Sequence, residues 1–294
     1  MKKFSFLFFI SIPIFCSAQE KETITPKIEL SAISQINQGN SYITFPTDIG
    51  NIEHLWFEGN LIPNFFIKKN KNSRLIGVLT PQIIIRMYQK ESFPVQTPSY
   101  IPQISVYYSI SNKFIYKNLT LFGRLAHHSN GQEGDFYSSN GTINLLSGNF
   151  TTNYFETGLI KTNFNTRLGE HQFFRTSIEI HPQSWMSEDL VGKYSSYRWH
   201  TAVSFFKIES KKSPKKASIS LKAEAGWMFG GINNWKNFSS DRLNFKLTFF
   251  YHPEFFNEIG LFAQFYHGMD YYNIYFNHHL GVIRFGIMTE ILNF

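Results

Sequence analysis

The chain has 294 residues, a formal net charge of +7 and 18% aromatic residues, with 32 Phe and 15 Tyr against a single Cys. One cysteine excludes an internal disulfide and a cysteine-built metal centre, and a mild charge without a long basic block excludes a nucleic-acid-binding arm. Beyond the leader no stretch reaches 18 consecutive apolar residues, which excludes a helical membrane protein.

Lys2 and Lys3 precede an apolar run from Phe4 to Phe15, and Cys16-Ser17-Ala18 follows with small residues at the −3 and −1 positions of a cleavage site. Residues 1–18 are therefore expected to be a secretory signal, with one domain over 19–294. Phe15 is bulky where a lipid-attachment site at Cys16 needs a small residue, so the lone cysteine is expected to leave with the leader.

Behind the leader, segments of alternating apolar and polar residues are separated by turns rich in Asn, Gly, Ser, Pro and Lys. That is the pattern of an all-β fold, a single antiparallel transmembrane β-barrel. Strands are predicted over 27–38, 61–69, 75–90, 100–110, 118–129, 149–163, 172–181, 194–208, 217–229, 242–252, 259–268 and 279–294, about twelve in all. Residues 41–59 read as an irregular connection, and 91–98, with two prolines, as lying outside the sheet. An even count puts both termini on the periplasmic side, the long loop 130–148 outside and the Lys-rich 211–216 turn inside. The terminal Phe294 suits a signal for the barrel assembly machinery. Tyr271 and Tyr272 read as part of an interfacial girdle, and Arg124 as part of a charged network filling a small lumen. His278 and His279 are adjacent, so on a strand they point oppositely and do not share an ion.

The segment Leu119 to Gly131, LTLFGRLAHHSNG, carries the candidate chemistry. On a strand Leu119, Leu121, Gly123, Leu125, His127 and Ser129 share one face, an apolar ladder ending in a base beside a hydroxyl. Two residues apart they stand about 6.5 to 7 Å apart at Cα, close enough to hydrogen-bond once both lean together. In a barrel the leucine face meets lipid, so the pair lies on the outer wall near the external boundary, where either it rests among polar headgroups or the lipid itself is its substrate. A base needs a group to orient it. On the next strand Asn153 shares parity with Phe155, Thr157 and Leu159, and Asn149 is its rival.

His127-His-Ser129-Asn130-Gly131 fits the His-x-Ser-Asn-Gly motif of the outer membrane phospholipase A family, and the chain resembles that family. MYQK at Met87 to Lys90, PVQTPSYIPQ at Pro94 to Gln103 and the ending LFAQFYHGMDYYNIYFNHHLGVIRFGIMTEILNF are also similar to it. The resemblance implies a calcium-dependent, twelve-stranded barrel of the bacterial outer membrane that hydrolyses acyl esters of phospholipids at the A1 or A2 position, and it leaves lysophospholipids open as further substrates. It implies Ser129 as nucleophile, His127 as general base, Asn153 as the residue orienting the histidine and the Gly131 amide as oxyanion donor. For Ca²⁺ it implies the Gln132 carbonyl, Asp135 and Ser138, with Ser92 supplied by the second subunit of a homodimer and Gln89 buried at that interface. Glu188 and Asp189 are similar to a further acidic site. The rival expectation is a catalytically silent small channel or structural barrel.

Overall fold

The computed structural model describes residues 28–46, 49–50, 54–67, 73–92, 94–110, 117–207, 218–253, 255–256 and 259–289. The leader, the 211–216 turn and Phe294 lie outside them. The strands are β1 (Tyr42–Thr44), β2 (Leu55–Leu61), β3 (Phe65–Phe66), β4 (Leu75–Tyr88), β5 (Val95–Ser109), β6 (Asn118–Ser129), β7 (Thr151–Asn165), β8 (Glu170–Ile180), β9 (Tyr197–Lys207), β10 (Ile219–Phe229), β11 (Leu243–Tyr251), β12 (Ile259–Met269) and β13 (His279–Thr289). Neighbours from β4 to β13 pair antiparallel, β1 joins β13 to β2, and β2 pairs with β4. The ring thus closes with twelve strands and no free edge, and β3 continues the line of β2 along β4.

The expected count holds, but its first member is different. Residues 27–38 do not supply a strand: Leu30–Gln38 is a helix, α1, ended by Gly39 at φ +92°, whose N–H donates to the Gln35 carbonyl. Ile28, Leu30 and Ala32 alternate as in a strand, whereas Ile33 and Ile36 add a helical spacing that wins. The helix is buried nearly all round because it lies in the lumen. Ile33 is fully buried, and Ile28, Leu30 and Ile36 pack with Ile76, Val78, Tyr107, Phe122, Ile160, Phe173 and Phe206. The vacant place in the ring falls to β1, inside the stretch expected to be irregular, and most of 61–69 gives way to β2 ending at Leu61 and the two-residue β3.

Of the two prolines expected outside the sheet, Pro94 precedes β5 and Pro98 lies within it. β5 begins at Val95, and the β4–β5 register shifts between Ile84↔Ser99 and Arg86↔Gln96, so Thr97 and Pro98 form a bulge. Pro81 and Pro102 face each other in the same ladder.

Alternation sorts the side chains. Along β6, Thr120, Phe122, Ala126 and His128 are buried while Leu121 and Leu125 are exposed on the outer wall. Inside, charges are matched: Arg124 pairs with Glu156 at 3.0 Å, and Glu156 also meets Arg175 and Ser177. Arg86 bridges Glu58 at 2.6 Å and Asp270 at 2.7 Å, and Arg284 meets Glu58 at 2.9 Å. Tyr271 and Tyr272 are no girdle: the loop after β12 folds into the barrel mouth, where the Tyr271 hydroxyl donates to Glu58 and the Tyr272 hydroxyl to the Gln96 carbonyl. A second core of Leu55, Ile84, Phe136, Phe150, Leu190, Tyr194, Ile274 and Phe276 closes that end, as α1 fills the other.

Candidate active site

The outer end of β6 lies against β7 in the register His127↔Asn153 and Ser129↔Thr151. His127 Nδ1 and Asn153 Oδ1 are 2.8 Å apart, and Asn153 Nδ2 donates to the Trp185 carbonyl at 3.0 Å. The second bond fixes the amide with its oxygen toward the imidazole. Nδ1 therefore carries the proton and Nε2 is left as the acceptor, the tautomer a general base requires. Asn149 is engaged elsewhere: its N–H donates to the Gly134 carbonyl and its Oδ1 accepts from Thr151 Oγ1.

Trp185 ends a short 3-10 turn, Gln183–Trp185, held to β7 by a bridge between Met186 and Thr152 and by the Ser187 N–H donating to the Thr151 carbonyl. Its exposed indole borders a groove of about 500 Å³ on the outer wall, with Leu79, Pro102, Ile104, Leu125 and His127. Pro102 has a second consequence. The β5–β6 ladder runs Tyr100↔Ser129 and Gln103↔Ala126 and skips the positions between, because proline has no N–H to give opposite His127.

Ser129 closes the outward ladder, half-buried, with Tyr100 and Thr151 on its flanks. Among the described hydrogen bonds none joins Ser129 to His127. Rotation of a serine hydroxyl about one torsion is a small change, and such contacts tighten when substrate is bound. Gly131 follows at φ +66°, a left-handed conformation that a side chain would strain, and a Cβ there would stand 3.4 Å from the Tyr100 ring.

Between them Asn130 is almost wholly buried and holds the start of the loop. Its Nδ2 donates to the Gly148 carbonyl at 2.8 Å, and its Oδ1 accepts from the N–H groups of Phe150 and Gln132. Sequence reasoning gave Asn130 no role; its place between Ser129 and Gly131 in the motif was the signal. Trp185 was missed because its contribution is a backbone carbonyl, which no residue type announces.

The loop 130–148 is compact. Gly134 bridges Gly148, Tyr137 bridges Ile143, and Asn144 Nδ2 donates to the Asp135 carbonyl at 3.1 Å. Asp135 is exposed, Ser138 and Gln132 are half-buried, and all three belong to this loop. Ser92 is exposed in the turn between β4 and β5 at the same end of the barrel. Together they offer only oxygen donors, which suits a hard cation such as Ca²⁺. They include one carboxylate, and among the described residues no three His, Cys, Asp or Glu side chains group as metal ligands. The donor chemistry fits, and a single chain leaves the set short of ligands. Gln89 lies beyond the end of β4, exposed, with Nε2 donating to the Leu55 carbonyl. Glu188 and Asp189 are exposed in a 3-10 turn beside Trp185.

No family model matches the sequence, and no curated protein matches it. Solved structures do. Outer membrane phospholipase A from Escherichia coli matches with a TM-score of 0.59 and 13% identity over 92% of this chain and 95% of that one, as does an active-site mutant of the same protein. The Salmonella typhi outer membrane phospholipase dimer with bound calcium matches with a TM-score of 0.58 and 15% identity, covering 92% and 94%. Over more than nine-tenths of its length, this chain has the fold of the outer membrane phospholipase A structures.

Proposed function

We propose that this protein is a phospholipase of the bacterial outer membrane that cleaves acyl esters of phospholipids from the lipid-facing wall of its barrel. The observation that carries the reading is the 2.8 Å bond from His127 to Asn153 beside Ser129, at the end of an outward leucine ladder. A hydrogen-bonded polar pair bordering an apolar groove has little structural use on a lipid-facing wall, whereas it is where the ester of a membrane lipid arrives.

In the proposed reaction Ser129 Oγ attacks the acyl carbonyl carbon while His127 Nε2 takes its proton. The Gly131 N–H stabilises the oxyanion. Collapse of the tetrahedral species breaks the ester bond, and the imidazolium returns its proton to the departing lysophospholipid oxygen. Water, deprotonated by the same nitrogen, then releases the fatty acid from Ser129. Asn153 keeps the imidazole in place; being neutral, it orients the base more than it stabilises the imidazolium.

Gln132, Asp135 and Ser138 would hold Ca²⁺, with Ser92 of a second copy completing the set in a homodimer. Bound there, the ion would supply positive charge near the oxyanion. The short ligand set of a single chain and the calcium-bound dimer described for the Salmonella typhi protein support this part of the reading. A cleaved leader over 1–18 and insertion by the barrel assembly machinery belong to the same proposal.

Fatty-acid release from phospholipid micelles tests it. The detergent-purified protein should release fatty acid in calcium and lose this activity with chelator, and Ser129→Ala should lower the rate by at least about a thousandfold. Release by Ser129→Ala at the native rate would overturn it. The rival, a small channel, is opposed by α1 and the ion pairs that fill the lumen; conductance in planar bilayers without lipase activity would favour it.

A further inference from the structure

We propose that His267 and His279 form a two-histidine site for a divalent transition-metal ion on the outer wall of the barrel. Five strands lie between β12 and β6 in either direction around the ring, so this wall is diametrically opposite His127 and Ser129.

The two strands carry matched ladders. On β12, Leu261 and Phe265 are exposed and His267 follows with the same parity; on β13, Phe285 and Ile283 are exposed and His279 ends the row. Both apolar bands thus stop at a histidine, at the same end of the barrel as the candidate active site. The register pairs His267 with Gly281 and Met269 with His279, which makes the two histidines diagonal neighbours on one face.

Gly281 permits the approach. A Cβ on it would stand only 3.7 Å from His267 Nδ1, so this ring leans over a position without a side chain. The imidazole centroids are 4.6 Å apart with the ring planes at 71°. A metal bound at about 2.1 Å by two imidazole nitrogens lies roughly 3.2 Å from each centroid. Two such vectors at about 90 to 110° separate the centroids by about 4.5 to 5.2 Å, so the observed spacing already suits chelation.

Imidazole is a ligand for Zn²⁺, Ni²⁺ and Cu²⁺ and a poor one for Ca²⁺, so this site selects a different class of ion from the oxygen donors of the 130–148 loop. Among the described residues no third His, Cys, Asp or Glu completes the site, so oxygens of water or of lipid phosphate take the remaining positions. His278, adjacent in sequence, is not part of the pair: its backbone N–H and carbonyl serve the turn.

The alternative is that the two rings only pack edge-on. Calorimetric titration of the full-length, tag-free protein in detergent with Cu²⁺, Ni²⁺ or Zn²⁺ decides. The wild type should bind each ion, Cu²⁺ most tightly. His267→Ala and His279→Ala should each weaken binding about tenfold or more through loss of the chelate, and His54→Ala should not. Electron paramagnetic resonance of the Cu²⁺ form should show two coordinating nitrogens in the wild type and one in either variant, each variant being checked for native β-sheet circular dichroism. Wild-type affinity in both single variants, one-nitrogen coordination in the wild type, or no binding at all would overturn the proposal.

Discussion

Asn130 and Asn153 illustrate how two residues of one type serve a site differently. Asn153 is half-buried and holds an imidazole; Asn130 is buried and holds backbone. Asn153→Ala removes one neutral bond worth about 1 kcal/mol and lets the ring rotate, so kcat should fall by about ten- to a hundredfold with KM little changed. Asn130→Ala leaves two N–H groups and a carbonyl without their partner, a penalty of about 2 to 4 kcal/mol concentrated in the loop. It should abolish activity while the barrel stays folded, and brief proteolysis should cut within 130–148 in the variant and not in the wild type. An Asn130→Ala variant with a protease-resistant loop would contradict that account.

At the scale of elements, β6 was legible and α1 was not. The ladder from Leu119 to Ser129 has one period, and burial follows it residue by residue. In 27–38 two periods overlap, because Ile28, Leu30 and Ala32 alternate while Ile33 and Ile36 recur helically. Only the enclosed lumen decides between them, and enclosure is a property of the closed ring. Pro98 misled for a related reason: a missing N–H argues against a strand, unless a bulge absorbs it. Parity narrowed the orienting residue to Asn153 or Asn149 and the strand register decided between them, whereas Trp185, which sets the amide, gave no signal. The helix supports a prediction of its own. Ile33 is fully buried among luminal side chains, so Ile33→Ala should cost about 2 to 4 kcal/mol in urea unfolding from micelles. Deleting residues 28–38 should raise single-channel conductance in planar bilayers over the wild type, because that stretch fills one end of the lumen.

For the whole molecule the interior poses the problem opposite to that of a soluble protein. The outer wall exposes apolar side chains, so specificity of closure falls to charges inside. Glu58 is the centre of the largest such group, fully buried on β2 with Arg86 from β4 at 2.6 Å and Arg284 from β13 at 2.9 Å. Hydroxyls of Tyr42 and Tyr271 also donate to it. The carboxylate therefore ties β2 to β4, β1 and β13, the strands at which the ring closes. Replacing it leaves two guanidinium groups facing each other across a buried gap, with Arg86 still held by Asp270. Breaking one member of such a group costs about 3 to 5 kcal/mol, more than the intact group contributes, because desolvated charge is left uncompensated. Glu58→Ala should lower the unfolding free energy from urea titration in micelles by that amount and slow refolding, and Glu58→Gln, which keeps shape and one acceptor, should do less of both. The same change at Glu224, which pairs with Lys222 and Lys246 away from the closure, should slow ring closure far less. Equal refolding rates for Glu58→Ala and Glu224→Ala would place the determinant of closure elsewhere in the sheet.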